Sequence, residues 1–255
     1  MLKHRVIPCL LLHEGGLVKT MRFKKPAYVG DPINAIRIFN EKEVDELLVL
    51  DIGATREGRE PNYALIEQFA GECFMPLSYG GGIQTVTQAR RLFSLGVEKV
   101  CLQTSAMRDM NIIREIAELS GNQSVLFSLD VRKSLLGRYK VYASATGKSI
   151  DVRWQTILQE AVHAGAGEVI INAVDRDGTM TGIDEELIRE AATLIPVPLI
   201  AVGGVGSLAD IRKAVDAGAS AVSAGAFFVF HGPHRAVLIT YPQYKDLDNL
   251  FKNHE

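Results

Sequence analysis

The feature that most constrains this chain is an internal offset of 122 residues. Pro76-Leu-Ser-Tyr-Gly-Gly-Gly-Ile83 and Pro198-Leu-Ile-Ala-Val-Gly-Gly-Val205 each join a short apolar run to a glycine cluster. Gly81 and Gly203, Thr85 and Ser207, Gly96 and Gly218, and Val100 and Val222 all stand 122 residues apart. The same shift carries Glu46-Leu-Leu-Val49 onto Glu168-Val-Ile-Ile171. In 255 residues this is one unit of half the length used twice, with halves of about 1–122 and 123–255. A doubled unit of strands and helices that closes on itself is a barrel.

Each glycine cluster also opens a helix. Thr85 and Ser207 are N-cap residues, followed by apolar positions at Val86, Ala89 and Phe93 and at Leu208, Ile211 and Val215. Glycine between a strand and a helix lets backbone approach a phosphate, and the free N–H groups of the helix start bind it. One such loop also suits any tight turn. Two in register point to phosphate.

The remaining pattern agrees with a barrel. Short apolar runs fall at residues 5–12, 46–52, 74–79, 99–104, 124–130, 168–174, 197–203 and 219–226, as parallel strands covered on both faces read. Helical patterns fall between them at 32–42, 63–73, 85–95, 111–119, 152–164, 184–194 and 208–217, and Gly96, Gly165 and Gly218 stop three of these. No linker or low-complexity segment divides the chain. The fold class is α/β, a single (β/α)8 TIM barrel, and 255 residues suit that size.

Composition excludes several classes of function. The net charge of −2 comes without a basic stripe, which argues against nucleic acid. Cys9, Cys73 and Cys101 are widely spaced, with no disulfide or zinc framework, so neither metal nor cofactor is expected. The basic start is followed by only a short apolar run, and no run reaches the ~18 residues of a membrane span. A cytoplasmic protein is expected.

In such barrels chemistry sits at the C-terminal ends of the strands. There lie Asp51, Gly80–Gly82, Gln103, Thr104, Asp130, Asp175, Asp177, Gly178, Gly203, Gly204 and Gly225. Asp130, ending an apolar run, is a general acid/base or a polar cap paired with Arg132 or Lys133. Asp175-Arg-Asp-Gly-Thr179 between two phosphate loops reads as a substrate element, where alone it would read as a turn. Residues 12–32 read as a long loop carrying Lys19, Arg22, Lys24 and Lys25, either a lid over an anion or a solvated basic loop. At the opposite, N-terminal ends lie Arg5, Glu46, Glu98, Lys99 and Glu168, which are turn charges or a ring over the barrel mouth.

Arg5-Val-Ile-Pro-Cys-Leu, Gly30-Asp-Pro, Asp45-Glu-Leu, Gly80-Gly-Gly-Ile, Asp175-Arg-Asp-Gly-Thr and Gly203-Gly-Val-Gly together resemble the cyclase subunit (HisF) family of imidazole glycerol phosphate synthase, along almost the whole chain. The resemblance implies a half-barrel duplication that receives ammonia from a HisH-like glutaminase docked on its N-terminal face. The ammonia is used on a ribulosyl substrate with two phosphates at the other face. It implies that Asp130 is the catalytic acid and that Gly81, Gly82 and Thr104 hold one phosphate. Gly178, Gly203, Gly204 and Gly225 hold the other, with Lys19, Asp51, Asp175 and Asp177 as further substrate positions. Arg5, Glu46, Lys99 and Glu168 match a salt-bridge gate for ammonia, and Glu98 an acidic position facing the glutaminase.

Two positions depart from the family. Leu11 stands where a second catalytic aspartate is expected, and Gln103 replaces an asparagine. Leu12 and His13 supply no carboxylate, and His13 is expected in the loop. Losing a positioned acid or base costs ~10²–10⁴ in rate. The start Pro8-Cys-Leu-Leu-Leu12 and the segment Phe227-Phe-Val-Phe-His-Gly-Pro-His-Arg-Ala-Val-Leu-Ile-Thr-Tyr-Pro242 resemble more closely the HisF-like glycosyl amidation (WbuZ-type) branch. That resemblance implies ammonia delivery to an ATP-dependent amidotransferase acting on a surface-polysaccharide sugar. The alternatives are a genuine cyclase of histidine biosynthesis and a non-catalytic activator or scaffold of the glutaminase.

Overall fold

Eight of the apolar runs form a closed parallel sheet in a computed structural model that describes residues 4–134 and 136–252. The barrel strands are β1 (Arg5–His13), β2 (Leu47–Asp51), β3 (Leu77–Gly80), β4 (Lys99–Leu102), β5 (Val125–Lys133), β6 (Glu168–Ala173), β7 (Leu199–Val202) and β8 (Ala221–Ala224). Each pairs in parallel with its sequence neighbours, β8 pairs with β1, and β5 pairs with β6, so no strand edge is left open. This is the expected (β/α)8 barrel.

The helices are α1 (Pro32–Glu41), α2 (Tyr63–Glu72), α3 (Val86–Ser94), α4 (Asn111–Ser120), α5 (Trp154–Ala164), α6 (Glu185–Leu194), α7 (Leu208–Asp216) and α8 (Tyr244–Lys252). Their apolar faces pack on the outside of the sheet in one continuous core that includes Phe39, Phe69, Ile113, Leu158 and Phe228. A second, separate cluster fills the barrel's inside. Ile7, Cys9, Leu48, Cys101, Leu126, Ile170, Ile200 and Ala221 pack there, with Leu11, Leu50 and Val202 against them. Every second residue of a strand faces in, because side chains alternate across a sheet.

The offset of 122 reappears as geometry. Gly81 and Gly203 have φ of +119° and +101°, and Gly82 and Gly204 have +74° and +97°. A Cβ on Gly81 would stand 2.4 Å from the Asp51 carbonyl oxygen, and one on Gly204 would stand 2.1 Å from that of Gly182. Both conformation and space therefore require glycine there. Thr85 and Ser207 cap α3 and α7, with Thr85 and Gln88 bonding reciprocally in a capping box.

Several boundaries differ from the sequence reading. The run at 99–104 is a strand only to Leu102, since Thr104 begins a short helix, Thr104–Arg108. The run at 219–226 is strand only over Ala221–Ala224, and Ala226–Val229 is a helical turn. Residues 12–32 are not a loop. β1 continues to His13 and turns back into the antiparallel strands Gly16–Met21 and Lys24–Gly30. The sharp turn needs left-handed backbone at Glu14, Gly15, Arg22 and Phe23, and only Gly15 announces it in sequence. A second hairpin, Tyr139–Ala143 with Lys148–Ile150, extends β5 in the same way and was equally unmarked.

An N-cap hydroxyl contributes ~1 kcal/mol. Thr85→Ala should therefore lower Tm by about 2–4 °C in a chain of this size, measurable by circular dichroism melting. A variant melting with the parent would show that the capping box adds nothing to stability.

Candidate functional site

The two ends of the barrel carry different chemistry. At the N-terminal mouth the first inward position of four strands is charged. Arg5 bonds Glu46 at 2.5 Å and Glu168 at 2.7 Å, and Lys99 bonds Glu46 at 3.1 Å and Glu168 at 3.0 Å. The four side chains thus form a closed ring of alternating sign. Glu46 is 2% exposed and also accepts from the Ser78 hydroxyl at 2.8 Å. Burial opposes the Arg5 charge, but Glu168 and Glu46 outweigh it and hold its pKa above the ordinary value. Glu98, one residue before Lys99, lies exposed beside this mouth.

Above the ring the inward stripe is mostly apolar, and two of its polar members carry an unpartnered atom. Ser223 is fully buried and its hydroxyl has no hydrogen-bond partner among the described residues; Asn172 Oδ1 is likewise unpartnered. Both residues lie in register with Val202 near the C-terminal mouth, where Asn172 also bonds Asp130.

At the C-terminal mouth Asp130 is 4% exposed. Its carboxylate accepts from Gln103 Nε2 at 2.5 Å and from Asn172 Nδ2 at 3.1 Å, and the Gln103 amide oxygen in turn accepts from the Ser144 hydroxyl. Burial pushes the Asp130 carboxyl up to about 7, against the pull of these two amide donors. The partners are Gln103 and Asn172, so the pairing with Arg132 or Lys133 is not the one formed. Arg132 instead approaches Asp175 at 3.5 Å.

A cavity of about 40 Å³ lies between β1, β7 and β8, lined by Leu11, Lys19, Asp177, Gly178, Gly203, Gly204 and Gly225. The structure therefore gathers one group of expected residues around a single space. Lys19 is 5% exposed and donates to the Cys9 carbonyl at 2.5 Å. Burial pulls its amine below the ordinary range, opposed by the charges of Cys9 and Asp177. Burial likewise raises the Asp177 carboxyl to about 6, against Lys19 and the hydrogen bonds of Thr20 and Phe23. Leu11 faces this cavity with an apolar side chain.

Other expected residues are engaged elsewhere. Asp51 accepts from the backbone N–H groups of Gly53 and Ala54 at 3.0 and 2.9 Å and meets Arg59, so it caps its own loop. Gly82 donates its N–H to Thr55, and Gly81 packs on Asp51. Asp175 accepts from the Lys133 N–H at 2.7 Å, and its carbonyl accepts from Arg22 at 3.0 Å. It ties both hairpins to the barrel, as a turn residue does. Thr104 opens its short helix without touching this cavity's lining. His13 ends β1 and is not in a loop; its Nδ1 is buried beside Gly53 and unpartnered.

Residues not singled out from sequence complete the mouth. Phe23 and Tyr142, from the two hairpins, meet edge to face at 5.7 Å, and Arg132 stacks on Tyr142 at 4.1 Å. Arg235 donates to the Gly178 carbonyl at 2.7 Å. Asn172 was legible in principle, as the polar inward residue of an apolar strand. The hairpin contacts were not, because they depend on where two separate insertions meet.

The chain is thus a closed (β/α)8 barrel with a charged ring at one mouth and a buried carboxyl beside glycine loops at the other. Residues 5–233 match the family model described as histidine biosynthesis protein, and the chain belongs to that family. It is 53% identical over 252 residues to the "Putative imidazole glycerol phosphate synthase subunit hisF2" of Pseudomonas aeruginosa, covering 97% of this chain and 99% of the relative. It is 48% identical to the "Putative imidazole glycerol phosphate synthase subunit HisF" of Leptospira interrogans, covering 98% and 100%. To the imidazole glycerol phosphate synthase subunit HisF of Exiguobacterium sibiricum it is 36% identical, covering 96% of each. Among the described residues no helix is long and apolar enough to cross a membrane, and no group of three His, Cys, Asp or Glu is placed to hold a metal ion.

The Asp130 carboxyl, raised to about 7 from an unfolded value near 4, disfavours the folded state once it must ionise. The native chain then binds more protons than the unfolded one between these values, so this contribution to stability is lost as pH rises from 4 to 7. Asp130→Asn removes the titration. Its Tm relative to the parent should therefore rise between pH 5 and pH 8, and parallel curves for the two proteins would contradict the raised pKa.

Proposed function

We propose that this chain is the synthase-like subunit of a glutamine amidotransferase assembly that takes ammonia from a HisH-like glutaminase. In this reading the glutaminase sits at the N-terminal mouth, and the chain passes ammonia through the barrel for use in amidating a surface-polysaccharide sugar by an ATP-dependent partner. One contrast carries the reading. The Arg5–Glu46–Lys99–Glu168 ring at the entry is complete, while the exit presents Leu11 where acid–base chemistry on a phosphorylated substrate needs a second carboxylate.

Each part has a physical task. The ring neutralises itself, so a neutral ammonia molecule meets no net field at the mouth, and a displaced Lys99 opens a way past it. The unpartnered hydroxyl of Ser223 and amide oxygen of Asn172 offer hydrogen bonds to a small polar molecule inside an otherwise apolar interior. At the exit, Lys19 and the glycine loops around Gly178, Gly203, Gly204 and Gly225 suit an anionic, phosphate-bearing molecule.

A second reading is a genuine cyclase of histidine biosynthesis. The retained Asp130, with a pKa pushed up to about 7 and so suited to proton transfer, favours it, and so do the names of the relatives. In that reading Asp130 serves as the acid, and proton transfer on the Leu11 side is left to an unheld water.

Two measurements follow. With ammonium supplied in excess and no glutaminase present, the chain should not turn over the ribulosyl bis-phosphate substrate at a useful rate. Leu11→Asp should raise turnover from its floor, by up to ~10²–10⁴ if a positioned base is all that is missing. Rapid ammonia-dependent turnover by the unmodified chain, or rescue of a histidine auxotroph, would return the second reading. Lys99→Ala should uncouple glutamine hydrolysis from ammonia delivery. Because removing one partner from a buried ion pair can cost ~3–5 kcal/mol, a melting curve is taken alongside. Unchanged coupling in a folded variant would leave the ring a purely structural feature.

A further inference from the structure

The hairpin after β8 is a part of this fold that the family match does not cover in full. It runs from Phe230–His231 through a four-residue turn to Ala236–Val237, while the match ends at residue 233. Arg235 closes the turn, its N–H donating to the Gly232 carbonyl at 3.1 Å, with left-handed backbone at φ +51°. Glycine or asparagine suits that conformation better, so the turn alone does not account for an arginine.

Its side chain reaches the C-terminal mouth. Arg235 Nη2 donates to the Gly178 carbonyl at 2.7 Å, and the guanidinium stands over the Phe230 ring at 4.7 Å. Gly178 lines the cavity between β1, β7 and β8. From the first hairpin Arg22 Nε donates to the Asp175 carbonyl, in the same loop, at 3.0 Å. Backbone oxygens thus fix both guanidiniums, and among the described residues neither forms an ion pair with a carboxylate. The cavity beside them holds two buried polar groups, the Lys19 amine and the Ser223 hydroxyl, and the hydroxyl is unpartnered. Asp177, the only carboxylate among its described lining residues, is answered by Lys19. The other glycine loop is already engaged. There the Gly82 N–H donates to Thr55 Oγ1 at 3.2 Å, and neighbouring Arg59 pairs with Asp51 and Glu57.

We infer that Arg235, with Arg22, forms an outer anion station on the rim of this cavity, so that the ligand carries two adjacent anionic groups. The class is an organic diphosphate, as opposed to a molecule whose two phosphates reach opposite loops. This rests on the reading that the exit takes a phosphate-bearing molecule, and it adds how the charges of that molecule are arranged. The inner group lies against Lys19 and Ser223. The outer one takes the guanidinium edge, whose planar fork of donors matches phosphate oxygens.

The test is calorimetric titration of the purified chain with inorganic phosphate and with inorganic pyrophosphate, at one ionic strength, with melting curves alongside. The parent should bind pyrophosphate at least about tenfold more tightly than phosphate. Arg235→Gln should lose that preference while its phosphate affinity stays within about twofold of the parent's. Arg235→Gly suits the left-handed backbone, so the hairpin is kept, and it should lose the preference as well. Arg114→Gln removes an equal charge from the outer helix α4 and should behave as the parent does. Equal affinity of the parent for both anions, or a preference that survives in both Arg235 variants, would overturn the inference and leave the phosphate reading standing. A preference lost equally in Arg114→Gln would trace it to net charge and overturn the inference too. If the parent binds neither anion, the inference falls together with the phosphate-bearing ligand of the proposed function.

Discussion

The constraint on which the rest of this structure depends is the two-residue period of strands in a closed barrel. Once β5 pairs with β6 and no edge remains, the inward set of each strand is fixed, because a slip by one residue would turn every side chain over. On β1 that set is Arg5, Ile7, Cys9 and Leu11. Ile7 and Cys9 pack in the interior cluster with Leu11 against it, while Arg5 closes one mouth. Arg5 and Leu11 stand six residues apart, roughly 20 Å along the strand at ~3.3 Å each, so the two ends communicate only through the barrel interior or the walls.

The energetics of the two ends differ for the same reason. The bottom charges are withdrawn from water yet each has partners of opposite sign, which keeps four ionised groups tolerable in a place where one alone would not be. At the top, Asp130 has only neutral amides for partners, and its carboxyl rises accordingly. The two ring glutamates and the Asp130 carboxyl are all buried. What separates them is whether the neighbours are charged.

The barrel was legible because apolar runs alternate with helical patterns and because an offset of 122 residues repeats its punctuation. The four ring residues were legible only as charges at the N-terminal ends of the strands, turn charges or a ring, and it is the inward side-chain contacts that make them a ring. The hairpins were not legible. Residues 12–32 carry three lysines, one arginine and two prolines, with no Asn-Gly or Asp-Gly to mark a turn, and left-handed backbone at Arg22 and Phe23 has no sequence signature. From sequence Asp51 and Asp175 read toward a ligand; in the fold one oxygen of each accepts from backbone N–H groups and the other faces an arginine, Arg59 for Asp51 and Arg132 for Asp175. Sequence position says which mouth a carboxylate reaches but not which local donor claims it first.

Leu11 is where structure and chemistry pull apart. As a packing element it is well placed, since it extends the apolar interior cluster to the edge of the cavity. A carboxylate at that position would stand near Asp177, whose own carboxyl is already raised by burial, and would gain the attraction of Lys19. An acidic pair beside one buried amine lowers stability unless an anionic substrate or a catalytic step makes use of it. Leucine removes that burden and leaves Lys19 with a single carboxylate neighbour in the cavity. The exit is then more stable, drier and less able to move protons, while nothing at the entry changes. Under the proposed role, in which ammonia is delivered to another active site, the barrel needs its interior and its entry intact, and it loses nothing when its own exit ceases to be an acid–base pair.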